Sequence, residues 1–272
     1  MAEKMQITDA QIHLWAVPGA PSHHVRDPYP VERALREMDE AGVDRAVNCP
    51  AIWDPTANAY GAEAAEARPD RFRTMAWFPV DGTVAPATLD ELLARPGVVG
   101  LRMVLYAPQA GSILSSGSLD WLWRRAQKRD FPVALMVMPD HLPLIGQIAA
   151  TFPGVRLALD HLAIGPFEKL PQAASHLDEL LQLASHPNIS VKATGIVGAT
   201  VDDYPFPSAH AILRRVIDVY GPSRTFWGTD ITRQSASWTQ LVTMFTAQLT
   251  WLRGDELEMV MGRGISDWLR WS

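Results

Sequence analysis

Residues 132–161 read PVALMVMPDHLPLIGQIAATFPGVRLALDH. The apolar run Pro132–Met138 is followed by a turn at Pro139-Asp140 and then by Leu142–Thr151, whose apolar residues recur with helical period. Pro153-Gly154 makes a second turn, and Arg156–His161 begins another short apolar run. One strand, one helix and a second strand therefore fit into a segment just long enough for a right-handed parallel crossover.

The same unit repeats in both directions. The other strand-like runs are Met5–His13, Arg45–Ile52, Phe72–Phe78, Val98–Val104, Asn188–Lys192 and Arg224–Asp230, which brings the total to eight. Helical stretches separate them: Val31, Leu35 and Met38 share one face ahead of Gly42, and Leu89–Arg95, Trp121–Arg129, Leu177–Ser185, Ala209–Tyr220 and Trp238–Leu249 follow the same logic. Pro96-Gly97, Pro187-Asn188 and Gly221-Pro222 punctuate the junctions. Eight successive β-then-α units predict an α/β chain forming one (β/α)8 TIM barrel. An open doubly wound sheet would carry a glycine-rich loop after its first strand, and none occurs. No linker or repeat divides the chain, so residues 1–272 are read as one domain, with Asp255–Trp271 as a C-terminal helical cap.

Composition narrows the class of function. Of 272 residues, 47% are hydrophobic and 20% charged, and 24 Lys+Arg against 30 Asp+Glu give a net charge of −6. The basic residues form no run, which argues against nucleic-acid and anionic-membrane partners and leaves a small molecule as the expected one. The single cysteine, Cys49, excludes an internal disulfide and a cysteine-based zinc knuckle. With no signal-like or membrane-spanning apolar stretch, the expectation is a cytoplasmic protein. No Gly-x-Ser-x-Gly elbow or phosphate-cradling loop is present.

Catalytic groups in such barrels sit at the C-terminal ends of strands. Strand one ends Gln11-Ile12-His13, and two-residue alternation sends Gln11 and His13 to the same side. Strand four carries Arg102, strand six ends in Asp160-His161, strand seven in Lys192 and strand eight in Asp230. Singly, each has a bland reading: a structural histidine, a lysine reaching solvent, an aspartate capping a helix. Together they point to an active site, because burying several such groups without purpose is costly. Trp15, Trp53 and Tyr106 follow strands one, two and four, Trp77 with Phe78 closes strand three, and the four suggest a partly aromatic, substrate-binding mouth. The loop Pro18–Pro30, with His23 and His24, is long enough for a lid. Cys49 reads as a small buried hydrophobe. The tryptophans at 121, 123, 238, 251, 268 and 271 include candidates for a surface that pairs copies into a homo-oligomer.

These motifs resemble a known superfamily. Thr8-Asp9-Ala10-Gln11-Ile12-His13 looks like a variant of the Asp-x-His-x-His opening of the amidohydrolases. Leu159-Asp160-His161-Leu162 resembles their strand-six histidine motif, and Phe226-Trp227-Gly228-Thr229-Asp230 their strand-eight aspartate motif. Gly100-Leu101-Arg102, Val191-Lys192 and Met261-Gly262-Arg263-Gly264 are similar to the branch that holds pyrone-dicarboxylate lactonases, sugar lactonases and metal-dependent decarboxylases. The likeness runs from about Met5 to Trp271. It implies a hydrolase acting on a lactone or ester carbonyl, with Asp230 as the general base and His161 and His13 orienting water or bonding the carbonyl oxygen. Gln11, Arg102 and Lys192 are then the groups for the oxyanion or a substrate carboxylate. The sequence also departs from the family. Gln11 stands where metal-binding members have a histidine, and Val133–Met138 offers no strand-five histidine. The expectation is therefore no cofactor. The alternative is a divalent metal, zinc or manganese, on His13, His161 and Asp230, and with it a metal-dependent decarboxylase.

Overall fold

The computed structural model describes residues 5–18, 24–80, 85–165 and 167–272. Eight strands, β1 (Thr8–Ile12), β2 (Arg45–Asn48), β3 (Phe72–Trp77), β4 (Val98–Leu105), β5 (Val133–Val137), β6 (Leu157–Leu159), β7 (Ile189–Thr194) and β8 (Thr225–Gly228), pair in parallel in chain order. The expected α/β barrel is present. Its seam lies between β8 and β1. There the Asp230 N–H donates to the Gln11 carbonyl at 2.9 Å, and the Asp9 carboxylate accepts from the backbone N–H and the hydroxyl of Thr229. Gly228 lets the two strands approach: a Cβ there would stand 2.6 Å from Thr194 Cγ2 and 2.8 Å from Asp9 Oδ1.

Helices α1 (Val31–Ala41), α2 (Ala57–Ala67), α3 (Pro86–Leu93), α4 (Ala110–Ser115), α5 (Asp120–Arg129), α6 (Leu142–Thr151), α7 (Leu177–Gln182), α8 (Ile196–Ala199), α9 (Pro207–Tyr220) and α10 (Trp238–Thr243) fall between the strands or after the last. The periodicity singled out no helix at 57–67. The buried residues of that helix, ANAYGAEAAEA, are all alanine or glycine, so its inner face has no large apolar residues to mark it. Small residues are what the site requires, since a Cβ on Gly61 would lie 2.2 Å from the Asn48 amide. The stretch expected to be helical to Leu249 changes to a π-helical turn after Thr243.

The C-terminal segment closes the opposite end of the barrel from the predicted catalytic face. It consists of α11 (Gly254–Glu258), a π-helical turn at Met259–Arg263 and α12 (Gly264–Leu269). Ile265, Leu269 and Trp271 cluster with Ala10, Val47, Met75, Ala134, Ala158 and Phe226 of the barrel interior. The Arg45 and Arg73 guanidiniums each sit 4.9 Å from the centre of the Trp271 ring. Of the six tryptophans proposed for an oligomer surface, Trp123, Trp238 and Trp271 are buried and Trp121, Trp251 and Trp268 half-buried. No helix among the described residues is long and apolar enough to cross a membrane.

Candidate active site

β1, β6 and β8 end earlier than their apolar runs, which places His13, His161 and Asp230 on the segments that leave them, whereas Gln11, Arg102 and Lys192 stand within β1, β4 and β7. His13 follows β1 directly, and a shift of register between Asp9 and Ile12 marks an irregularity just before it. After β6 the chain turns through Asp160–Ala163 with His161, Leu162 and Ala163 all at positive φ (55°, 55° and 57°). Asp230, past β8, is also left-handed, at φ 53°. Such conformations are uncommon outside glycine and cluster at functional sites, where the surrounding structure holds them.

The mouth of the barrel brings Gln11, His13, Arg102, His161, Lys192 and Asp230 into one polar network, all of them buried. Its centre is Asp230. Oδ1 lies 3.1 Å from His13 Nε2, and Oδ2 lies 3.5 Å from Arg233 Nε and 3.9 Å from His161 Nε2. Burial alone would raise the Asp230 carboxyl, but His13, His161 and Arg233 overcome it and hold the group well below the usual carboxylate range. His13 Nδ1 meets the Cys49 carbonyl oxygen, so each of its ring nitrogens faces an oxygen acceptor. Burial pulls His161 below the ordinary histidine range, which favours the neutral ring.

A second carboxylate, Asp160, sits deeper. It takes Arg102 Nε on Oδ2 at 2.7 Å and Lys192 Nζ on Oδ1 at 3.0 Å, and these two cations outweigh its desolvation and hold it well below the usual range. Arg102 also contacts Met136 Sδ at 3.2 Å. Lys192 reaches Gln11 Oε1 at 3.0 Å, and Gln11 Nε2 lies 3.1 Å from His161 Nε2. Arg102 and Lys192, expected to face an oxyanion or a substrate carboxylate, are thus both engaged by Asp160. Nothing in the sequence marks Asp160 for a role, because a carboxylate beside His161 carries no sign of partners on two other strands.

A cavity of about 170 Å³ opens beside this network, lined by His161, Asp230 and Arg233 together with Met136, Gly195 and Gln234 among others. Arg233 is not among the residues expected from the sequence, where its only signal is its place three residues after Asp230. The aromatic residues predicted for the mouth are not among the cavity's lining residues. Trp15 is fully buried, stacked on Tyr29 at 5.8 Å and edge-on to Trp53 at 5.5 Å. Trp53, Trp77 and Tyr106 are half-buried. Phe167 is the aromatic at the cavity, 76% exposed, with the Arg233 guanidinium 5.9 Å from its ring centre. Of the long first loop, His24 is exposed and His23 lies outside the described residues. Cys49 is a free, buried thiol whose pKa is pushed up by burial.

Around Asp230 the nitrogen donors are His13 Nε2 and His161 Nε2, and the lone pair of the second is already approached by the Gln11 amide. Among the described residues, no group of three or more His, Cys, Asp or Glu side chains is arranged to hold a metal ion.

Comparison with known proteins sets this site in a family. The amidohydrolase family model matches residues 8–257. An L-fucono-1,5-lactonase from Burkholderia ambifaria is 25% identical over 193 residues, a match that spans 71% of this chain and 66% of that enzyme. Among solved structures, an amidohydrolase from Burkholderia multivorans with bound zinc has a TM-score of 0.82 at 16% identity, covering 97% of this chain and 99% of the other. A Pseudomonas putida protein put forward as a 2-pyrone-4,6-dicarboxylic acid hydrolase has a TM-score of 0.77 at 19% identity, with 99% of each chain covered. The 5-carboxyvanillate decarboxylase of Sphingomonas paucimobilis shares the fold at a TM-score of 0.68 and 14% identity, covering 98% and 99%.

Proposed function

The chain belongs to the amidohydrolase family, and from that premise we propose that it is a single-domain, cytoplasmic lactone hydrolase that works without a resident divalent ion. The observation that carries the reading is Asp230, an ionised carboxylate on the wall of the mouth cavity, paired with His13 and flanked by Arg233. The lactonase relative supports a lactone as substrate, and L-fucono-1,5-lactone is the first compound to test.

In this mechanism water enters the cavity and gives a proton to Asp230 as its oxygen adds to the lactone carbonyl carbon. The carbonyl oxygen gains negative charge, and Arg233, the cation beside Asp230, is assigned to it. The bond from carbonyl carbon to ring oxygen then breaks, the proton passes from Asp230 to the departing alkoxide, and the product is a hydroxy acid. The depressed pKa keeps Asp230 ionised throughout the neutral range, so it holds the proton only in passage. His13, facing Asp230 with one nitrogen and the Cys49 carbonyl with the other, fixes the carboxylate's direction.

The donor set does not fit the zinc that one structural neighbour binds. Gln11 presents an N–H, not an oxygen, toward His161, and β5 offers Ala134 and Met136 where a further imidazole would be needed. Three cations, Arg102, Lys192 and Arg233, also lie in or beside the site. An added cation would meet their repulsion.

The test combines metal analysis of purified protein, grown with zinc and manganese supplied, with acid release from a panel of lactones and esters. The expected result is negligible metal, chelator-insensitive hydrolysis, and a loss of about 10²- to 10⁴-fold in turnover in Asp230→Asn. One equivalent of metal per chain, with chelator-sensitive release of CO2 from an aromatic acid, would replace this reading with the decarboxylase one.

A further inference from the structure

The buried cations of the barrel are engaged with one another's partners more than with the cavity. Lys192 is fully buried, and Asp160 holds its ammonium at 3.0 Å while taking Arg102 at 2.7 Å. An ammonium has hydrogens to give and no lone pair to offer. The group that meets Lys192 Nζ at 3.0 Å on its other side must therefore be the oxygen of the Gln11 amide. That choice turns the Gln11 NH2 toward His161 Nε2, 3.1 Å away. Facing a donor, Nε2 must present its lone pair, so in the neutral ring the hydrogen sits on Nδ1. Thr194 receives it there, with its hydroxyl oxygen at 2.8 Å and its carbonyl oxygen at 3.3 Å.

A competing pull acts on the same ring. Asp230 Oδ2 lies 3.9 Å from His161 Nε2, and a carboxylate so placed favours the tautomer with the hydrogen on Nε2. Without the Gln11 N–H, the ring would have reason to turn its hydrogen toward Asp230.

We infer that Lys192, anchored by Asp160, acts through Gln11 as the positioning residue that fixes the Nδ1–H tautomer of His161 and covers its Nε2 lone pair. His161 is thereby withdrawn both from cation binding and from accepting the water's proton, and Asp230 remains as the base. This last step rests on the hydrolytic reading above, whereas the tautomer does not.

The test is 15N NMR of the histidine rings in the full chain, with His161 assigned by its loss in His161→Gln. In the wild type, His161 is expected to show a protonated Nδ1 and an unprotonated Nε2. In Lys192→Met the Gln11 amide loses the contact that orients it, and the His161 Nε2 resonance should move toward the protonated value. Should Lys192→Met fail to fold, Gln11→Leu removes the N–H and leaves the Asp160 ion pairs in place, with the same shift expected. A wild-type ring protonated on Nε2 would overturn the inference, as would a tautomer unchanged in whichever of the variants folds. A purely structural lysine would alter stability and leave this signature where it was. Absence of lactone turnover, with the NMR result as expected, would count against the hydrolase reading alone.

Discussion

Asp9 offers the sharpest quantitative test of the barrel's closure. It is fully buried in the β1–β8 seam, where its carboxylate accepts from Gln11 N–H at 2.9 Å and from both the N–H and the hydroxyl of Thr229. Those bonds favour the ionised form, yet burial outweighs them and pushes the carboxyl from 3.8 up to about 7. Between these two values the folded state holds a proton that the unfolded chain has released, so stability falls as pH rises through the window. Three pH units at about 1.4 kcal/mol each come to about 4 kcal/mol, lost by the time the pH has passed 7. Asp9→Asn has the shape of the protonated acid: its oxygen can accept the same two N–H groups, its NH2 can donate to the Thr229 hydroxyl oxygen, and it does not titrate. The stability of wild type minus that of Asp9→Asn should therefore drop by about 4 kcal/mol between pH 4 and pH 8. All other titrations are common to both proteins and cancel in the difference. Urea unfolding followed by tryptophan fluorescence at a series of pH values supplies the measurement. Parallel profiles, with the difference changing by less than about 1 kcal/mol, would refute the claim that burial governs this carboxyl.

Other expectations follow from the same contacts. Gly228→Ala places a methyl against Thr194, Asp9 and the Ala10 nitrogen and should cost about 1–3 kcal/mol in chemical denaturation, with weakened closure at the β8–β1 seam. Arg102→Met removes one of two cations from a buried carboxylate; the loss should be about 3 kcal/mol, at the low end for a broken buried pair because Lys192 remains. His161 is held below 6.5 chiefly by burial, so the unfolded chain takes up its proton first. Stability from this group should be lost as pH falls below 6.5, visible as a Tm that declines more steeply in wild type than in His161→Gln.

Much of the fold was legible in order along the chain. A strand buried on both faces reads as an apolar run, and proline-glycine pairs mark the turns, so all eight strands of the barrel are found near their expected places. The rule that strand ends carry chemistry was enough to single out Gln11, His13, Arg102, His161, Lys192 and Asp230, and the barrel does gather them. The alanine-rich α2 escaped because periodicity is read from large apolar side chains, and packing against Asn48 and Thr74 demands that they be absent. Asp255–Trp271 was legible as helical, but nothing along the chain says which end of a barrel it will close.

By itself, then, the sequence determined what is local: the two periods, the turns, and which residue types stand at the end of each strand. Only the tertiary structure decided who meets whom. Asp160 finds its partners at positions 102 and 192, Gln11 meets both Lys192 and His161, and Arg233 folds back onto Asp230. Those pairings depend on how eight strands close on one another and on side-chain reach of a few ångströms, whereas the patterns along a chain record only which way each residue faces.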